Sequence, residues 1–434
     1  MTDPLTVAIL AIAGMFVLIA LHVPIGAAMG ISGFLAFGVS SGFAPAVSLF
    51  GTEASSAIAN LDLAVIPLFL LMGSFATAAG LSADIYRLAY ALLGHRRGGL
   101  ALSTIVGCAG FGAVCGSSVA TAATMTTVAL PEMRSRGYRP TLATGCIAAG
   151  GTLGILIPPS IIMVLYAIQT EQFVITLFIA AIVPGLIAVA LHTIAIAVVV
   201  RLDRGAGPAG PAMSWGERLA VVRDSWAVLL LAFVVSGGIY GGVFTVNEAA
   251  AIGAALAFLF TAVRGRLTRR VLVETLLVTA ATTGMIYLIL IGANVFTYFI
   301  TASQMPEAVV AWIRGLDAPP LLVIAMLLVM YLILGSVFET VAAMLITLPF
   351  VFPLVVGLGY DPIWWGVINV MVIEIGMITP PIGLNVFVVH GMARDIAMKV
   401  VFAGILPFLA ADLVRLAILT LFPGLTLWLP SLFG

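Results

Sequence analysis

Apolar residues run through this chain in long unbroken stretches: Leu5 to Leu21, Val23 to Val39, Leu63 to Ala79, Val174 to Val200 and Trp226 to Tyr240. A bilayer-spanning helix needs about 20 mostly apolar residues, and these stretches match or approach that length. In lipid the backbone must satisfy its own hydrogen bonds, so the pattern predicts membrane helices throughout. The first stretch has no basic segment before it and runs straight into a second, which predicts a retained first helix and not a cleaved signal.

Between the apolar stretches basic residues come in five bursts: Arg87, Arg96 and Arg97; Arg134, Arg136 and Arg139; Arg201, Arg204, Arg218 and Arg223; Arg264, Arg266, Arg269 and Arg270; Arg394 and Lys399. Only Arg314 and Arg415 fall elsewhere. The stretch Ser40 to Asp62 and the turns at Thr170 to Phe173 and Phe244 to Glu248 hold no basic residue. Cytoplasmic loops are enriched in Lys and Arg, so the five bursts are assigned to the inside. Two bursts flank the uncharged stretch Leu100 to Pro131, too long for one ordinary span and short for two. Its middle, Phe111-Gly-Ala-Val-Cys-Gly-Ser-Ser-Val119, is small and polar where a helix would break. A hairpin entering from the cytoplasm is expected there, although parity also admits two complete thin spans. A span over roughly 271–300 and an amphipathic stretch from Met305 to Leu316 then precede a second hairpin. It lies over Leu321 to Leu358, enters from the other side, and turns near Leu334-Gly-Ser-Val-Phe-Glu-Thr340. The expected architecture is an all-α integral membrane protein of about ten transmembrane helices plus two re-entrant hairpins, with both termini outside.

The two halves match. Ser118-Val119 precedes Leu130-Pro131 as Ser336-Val337 precedes Leu348-Pro349, and Gly154-Ile-Leu-Ile-Pro158-Pro159 parallels Gly376-Met-Ile-Thr-Pro380-Pro381. One unit begins outside and the other inside, which is the inverted-topology repeat of many secondary transporters.

Composition narrows the class. The chain is 62% hydrophobic and 8% charged, against roughly 25% charged residues in a soluble domain. Its net charge is zero, so nucleic acid is not an expected partner. Cys108, Cys115 and Cys146 lie in apolar sequence without metal-ligand spacing, and the four histidines are scattered. No nucleophile with a base and no HExxH is present, so an intramembrane enzyme is not expected. Two closed hairpins point to alternating access more than to an open pore.

The chemistry concentrates at the breaks. Each Pro-Pro removes two backbone donors and frees carbonyls, which must then face protein or a wet cavity. Carbonyls and hydroxyls are hard oxygen ligands suited to Na⁺, whereas half-helix N-termini favour anions. The first candidate set is Gly116, Ser117 and Ser118 at the tip with Gly150, Gly151, Thr152 and Gly154 at the break. The second is Gly335, Ser336, Glu339 and Thr340 with Gly376, Thr379 and Asn385. The competing reading is close packing, the usual use of Gly and Ser between membrane helices. Glu339 is the sharpest residue, an acid at a hairpin turn that could bind Na⁺ or carry a proton, or simply lie near a wet surface. Glu374 is a weaker candidate. Asp412 and Arg415, three apart on the last helix, read as a structural ion pair.

The run from Phe111 to Tyr138, the segment GGTLGILIPPS from Gly150 to Ser160 and the segment EIGMITPPIGLNVFV from Glu374 to Val388 resemble the large membrane subunit of tripartite ATP-independent periplasmic (TRAP) transporters over essentially the whole chain. The resemblance implies a multi-pass protein of the bacterial inner membrane, with an elevator-type transport domain moving against a scaffold. Its implied partners are a small four-helix membrane subunit, a periplasmic substrate-binding protein and an organic anion. Na⁺ would be the coupling ion, with no other cofactor. Sodium sites would fall on the tip and break residues above. The substrate carboxylate would meet Ser118, Thr152, Ser336, Thr379 and Asn385. The family commonly has Asp where this chain has Glu339, and Asn where it has Val372. A stand-alone cation-coupled dicarboxylate symporter is the alternative. On this reading residues 1–61 are scaffold helices, and 62–203 the first repeat with its hairpin at 100–131 and broken helix at 141–170. Residues 204–270 are a linker and scaffold helix pair, and 271–434 the second repeat with its hairpin at 321–358 and broken helix at 362–390.

Overall fold

The computed structural model describes residues 4–315 and 318–433, and among them it is all helical. Leu316, where the amphipathic stretch was expected to end, lies outside the described residues. The helices are α1 (Pro4–Ala20), α2 (Ile25–Ser41), α3 (Phe43–Ala59), α4 (Val65–Ala79), α5 (Leu81–Leu93), α6 (Gly99–Cys115), α7 (Ser118–Ser135), α8 (Pro140–Leu156), α9 (Ile161–Gln169) and α10 (Val174–Leu202). They continue as α11 (Trp215–Asp224), α12 (Trp226–Tyr240), α13 (Val246–Val263), α14 (Arg269–Ala302), α15 (Met305–Gly315), α16 (Pro320–Val337), α17 (Thr340–Gly357), α18 (Pro362–Gly376), α19 (Leu384–Met392), α20 (Met398–Leu421) and α21 (Gly424–Leu427). Among the described residues seven helical segments are long and apolar enough to cross a bilayer, or up to nine if two bent pairs each count as one span. Both arms of the second hairpin, α16 and α17, are among the seven.

Large apolar side chains stand exposed along the outer helices, among them Ile9 and Leu10 on α1, Phe233 on α12, Leu277 on α14 and Ile333 on α16. A water-facing surface does not carry such continuous apolar exposure, whereas lipid accepts it. The outer helices pack through glycine. A Cβ on Gly26 of α2 would lie 2.5 Å from the Leu288 carbonyl of α14, and one on Gly292 would lie 2.0 Å from the Gly26 oxygen. Close backbone approach of this kind is how membrane helices gain contact without a hydrophobic drive.

The centre is made of the helices before the two breaks. Every residue from Leu142 to Leu156 of α8 and from Ile363 to Gly376 of α18 is buried. A helix apolar all round must sit inside. α8 is enclosed by α6, α7, α10 and α20, and α18 by α16, α17, α10 and α20.

Two helices lie where the basic-free and linker stretches had no span. α3 lies inside the stretch from Ser40 to Asp62 and interrupts its apolar residues with Thr52, Glu53, Ser55 and Ser56. α11 opens on a capping box in which Ser214 and Glu217 satisfy each other's backbone N–H groups. The Ser214 donors hold the Glu217 carboxyl below its usual range. Tyr138, in the turn between α7 and α8, ties the base of the first hairpin down. Its hydroxyl donates to the Pro208 carbonyl at 2.9 Å and accepts the Leu100 N–H at 3.1 Å. Burial pushes the phenol up to about 12, so at neutral pH it keeps the proton that this donation needs.

Candidate functional site

Each hairpin turns in two residues. After α6, Gly116 takes φ +63°, a left-handed conformation that glycine adopts without strain, and Ser117 caps α7 by accepting the Ala120 N–H at 3.4 Å. After α16, Phe338 leads to Glu339, whose carboxylate caps α17 by accepting the Val341 N–H at 3.0 Å. The breaks are longer. α8 ends at Leu156 and α9 begins beyond Pro158-Pro159 at the Ser160 cap; α18 ends at Gly376 and α19 begins after Gly383, at φ +63°. Both Pro-Pro peptide bonds are cis.

Within each repeat the hairpin and the broken helix meet by their C-terminal, carbonyl-bearing ends. A Cβ on Gly112 of α6 would lie 2.3 Å from the Gly154 Cα of α8. The second repeat does the same, since a Cβ on Gly376 of α18 would lie 2.7 Å from the Gly335 backbone of α16. Helix C-termini carry unsatisfied carbonyls and the negative end of the dipole. Two such ends pressed together repel unless a cation, a donor or water lies between them.

Across the repeats N-terminal ends meet instead. Asn385, in the first turn of α19, donates to Ser118 Oγ in the first turn of α7 at 2.8 Å and to the Ala148 carbonyl at 3.3 Å. Ser118 and Asn385 are both fully buried. Two positive dipole ends facing one another suit an anionic group between them. Gly383 N–H also reaches the Ser336 carbonyl at 3.1 Å, tying the second tip to its own break.

Glu374 sits in the last turn of α18, 1% exposed. One of its oxygens accepts the Thr340 hydroxyl at 2.8 Å, and the other has no partner among the described residues. A carboxylate at a helix C-terminus opposes the dipole, and a buried carboxylate needs a counter-charge. Glu339 is placed the opposite way. It is half-buried at a helix N-terminus, where the dipole favours it and capping accounts for one of its oxygens.

The predicted residues therefore sort into groups. Ser118 and Asn385 come together, as do Thr340 and Glu374; Gly335 and Gly376 lie at a close approach, whereas Gly116, set by its positive φ, has ordinary contacts with Pro159 and Ile161. A Cβ on Gly154 would collide with Thr121 Oγ1, one on Gly151 would touch Asn385 Nδ2 at 3.1 Å, and one on Gly150 would press on Cys108 Sγ. Three hydroxyls bond nearby backbone instead, each at 2.7 Å: Thr152 to Ala149 and Ser336 to Ile333 within their own helices, and Thr379, in the break, back to Ile375 at the end of α18. Sequence reasoning undervalued Glu374. The signal was present, because aligning Gly154 with Gly376 sets Glu374 opposite Thr152. The second break is also more open, with Pro380, Pro381 and Ile382 exposed while Pro158, Pro159 and Ser160 are buried.

Asp412 and Arg415 do pair on α20, at 2.9 Å, His192 of α10 joins them at 3.0 Å from Asp412, and the Arg415 charge also reaches Glu374. The triad is buried and clamps the two helices.

Comparison with known proteins places this geometry in context. Residues 12–425 match the family model described as tripartite ATP-independent periplasmic transporter, DctM component. A C4-dicarboxylate TRAP transporter large permease protein of Pseudomonas aeruginosa is 38% identical over 94% of this chain and 94% of its own length. A sialic acid TRAP transporter large permease protein of Vibrio cholerae is 31% identical over 87% of this chain and 88% of its own. Among solved structures, the Alcanivorax borkumensis YdaH transporter superposes with TM-score 0.62 at 15% identity, over 88% of this chain and 89% of that one.

Proposed function

Since the chain belongs to the DctM-component family of tripartite ATP-independent periplasmic transporters, we propose that it imports an organic acid anion, a C4-dicarboxylate or related carboxylate, by coupling to Na⁺. A periplasmic binding protein delivers the anion, and a small membrane subunit completes the scaffold. The relatives' names support the substrate class, since both a C4-dicarboxylate and sialic acid are carboxylates.

One observation carries the mechanism: like helix ends meet in pairs, carbonyl ends within each repeat and N-terminal ends between repeats. Na⁺ binds where the carbonyl ends converge, at Ser117 and the Gly112–Gly154 approach in the first repeat. In the second it binds at the Gly335–Gly376 approach, with Glu374 supplying the charge. The substrate carboxylate binds between the N-terminal ends of α7 and α19, against Ser118 and Asn385. Two Na⁺ pull the carbonyl ends together and so align the N-terminal ends for the anion. The loaded body, both hairpins with α8, α9, α18 and α19, then moves as a unit against α1–α4 and α12–α14. The hairpins are read as re-entrant, because their tips end on the breaks. Each net positive charge carried inward gains about 2.3 kcal/mol per 100 mV, so more Na⁺ charge than substrate charge concentrates the anion.

The tripartite reading is separated from a stand-alone symporter by reconstitution. Proteoliposomes holding the chain and its small subunit are expected to take up dicarboxylate only when the binding protein is added outside. Uptake by the chain alone, unaffected by the binding protein, would establish the symporter.

A further inference from the structure

α5, the α11–α12 corner and the end of α13 enclose a cleft of about 610 Å³ lined by four arginines, Arg87, Arg223, Arg264 and Arg266, with Trp226 at its edge. Charge in a loop is enough to orient a membrane protein, but two of these side chains, Arg87 and Arg264, come from separate segments onto one buried acid. Asp84, 1% exposed, pairs with Arg87 and with Arg264 Nη2 at 2.5 Å. Arg264 also donates to the Ala79 carbonyl at 3.0 Å, at the end of α4. Arg266 lies across Gly80, at φ +79°, where any Cβ would fall 2.0 Å from its guanidinium. Asp84 therefore fixes one wall of the cleft. Arg266 has no acidic partner among the described residues, and Arg223 has only the exposed Asp224 at 3.6 Å, a weak contact. Four guanidiniums against two carboxylates leave the cleft positive.

The surface beyond the cleft is apolar. Trp226, Leu230 and Phe233 form one exposed stripe along α12, and Leu259 and Val263 are exposed on the neighbouring α13. α11 turns off α12 by 60° and exposes Trp215 and Leu219, the disposition of a helix lying in the membrane interface. A positive cleft at the interface, opening onto a lipid-facing stripe, matches a molecule with an anionic head and apolar tails.

We propose that this cleft binds the phosphodiester headgroup of an anionic phospholipid from the leaflet that the arginine bursts assign to the cytoplasm, with its acyl chains along α12 and α13. Arg223 and Arg266 hold the phosphate, while Asp84 keeps Arg87 and Arg264 in place. The site ties lipid to α5, α11, α12 and α13 and shares no lining residue with the proposed transport site.

The test is native mass spectrometry of the full chain in detergent, titrated with cardiolipin, phosphatidylglycerol, phosphatidylcholine and inorganic pyrophosphate. The wild-type chain is expected to retain cardiolipin and phosphatidylglycerol in preference to phosphatidylcholine, and to gain no comparable pyrophosphate adduct. Arg223→Gln with Arg266→Gln is expected to weaken retention about fivefold per arginine removed. Arg96→Gln with Arg97→Gln, an equal charge change outside the cleft, is expected to leave it unchanged. Equal loss in both double variants would reduce the effect to general surface charge and overturn the site. Equal retention of phosphatidylcholine, or pyrophosphate binding as tight as the lipid's, would overturn the lipid as occupant. The wild-type titrations decide the ligand even if a variant fails to fold.

Discussion

At the residue scale the two acids of the second repeat divide the work by where the helix dipole places them. Glu339 stands at the positive end of α17 and caps it, whereas Glu374 stands at the negative end of α18 with one oxygen unpaired among the described residues. Glu374→Gln keeps the shape and the Thr340 contact while removing the charge. The wild-type protein is expected to gain about 2.7 kcal/mol of stability at Na⁺ a hundredfold above its dissociation constant, read as a rise in Tm that K⁺ does not produce. In Glu374→Gln most of that rise is expected to vanish with the fold intact. An undiminished Na⁺ shift in the variant would remove Glu374 from the ion site. This residue also marks a limit of the sequence. Hydroxyls, glycines and acids were visible as types, but Ser118–Asn385 and Thr340–Glu374 join positions 267 and 34 residues apart. Which hydroxyl turns inward to its own helix and which turns to a neighbour is set by packing. Thr152 and Thr379, expected to face the substrate, bond to backbone carbonyls three and four residues before them.

At the element scale the breaks were legible and some helices were not. Gly-x-x-x-Pro-Pro forces a helix to stop wherever it lies, and α8 parts from α9, and α18 from α19, at those prolines. The sequence marks Ser40 to Asp62 only as free of Lys and Arg; polar residues interrupt the apolar run of α3, so it does not read as a span. α11 carries its own signature, Ser214 three residues before Glu217, but has too few apolar residues to register as a span. The glycines at the paired carbonyl ends bring backbone against backbone, and the proposed ion sites use the same approaches, so the two readings offered by the sequence are not exclusive. Gly112→Ala and Gly335→Ala would drive a Cβ into backbone at 2.3 and 2.5 Å. Each is expected to cost on the order of 1–3 kcal/mol, the usual penalty of overpacking, and to weaken the Na⁺-dependent rise in Tm. Gly14→Ala, with open space around it on α1, is the control and is expected to be neutral or stabilising. Equal tolerance of all three by thermal melt would show that the paired ends are not held in close contact.

At the scale of the whole molecule, repeated form carries unequal chemistry. The first break is sealed within the protein and its tip holds only hydroxyls and carbonyls. The second is exposed at Pro380 to Ile382 and holds both acids. On the proposed function two ion sites of different charge flank one anion site, so substrate movement requires Na⁺ and both repeats contribute to it. The most direct measurement is accumulation of labelled dicarboxylate in proteoliposomes containing the chain, its small subunit and the binding protein, with Na⁺ imposed outside only. Accumulation is expected to rise sigmoidally with external Na⁺ and to stop when the gradient is abolished. Replacing either Glu374 by Gln or Ser117 by Ala is expected to shift that dependence to higher Na⁺. Accumulation that persists without a Na⁺ gradient and ignores both substitutions would contradict the account.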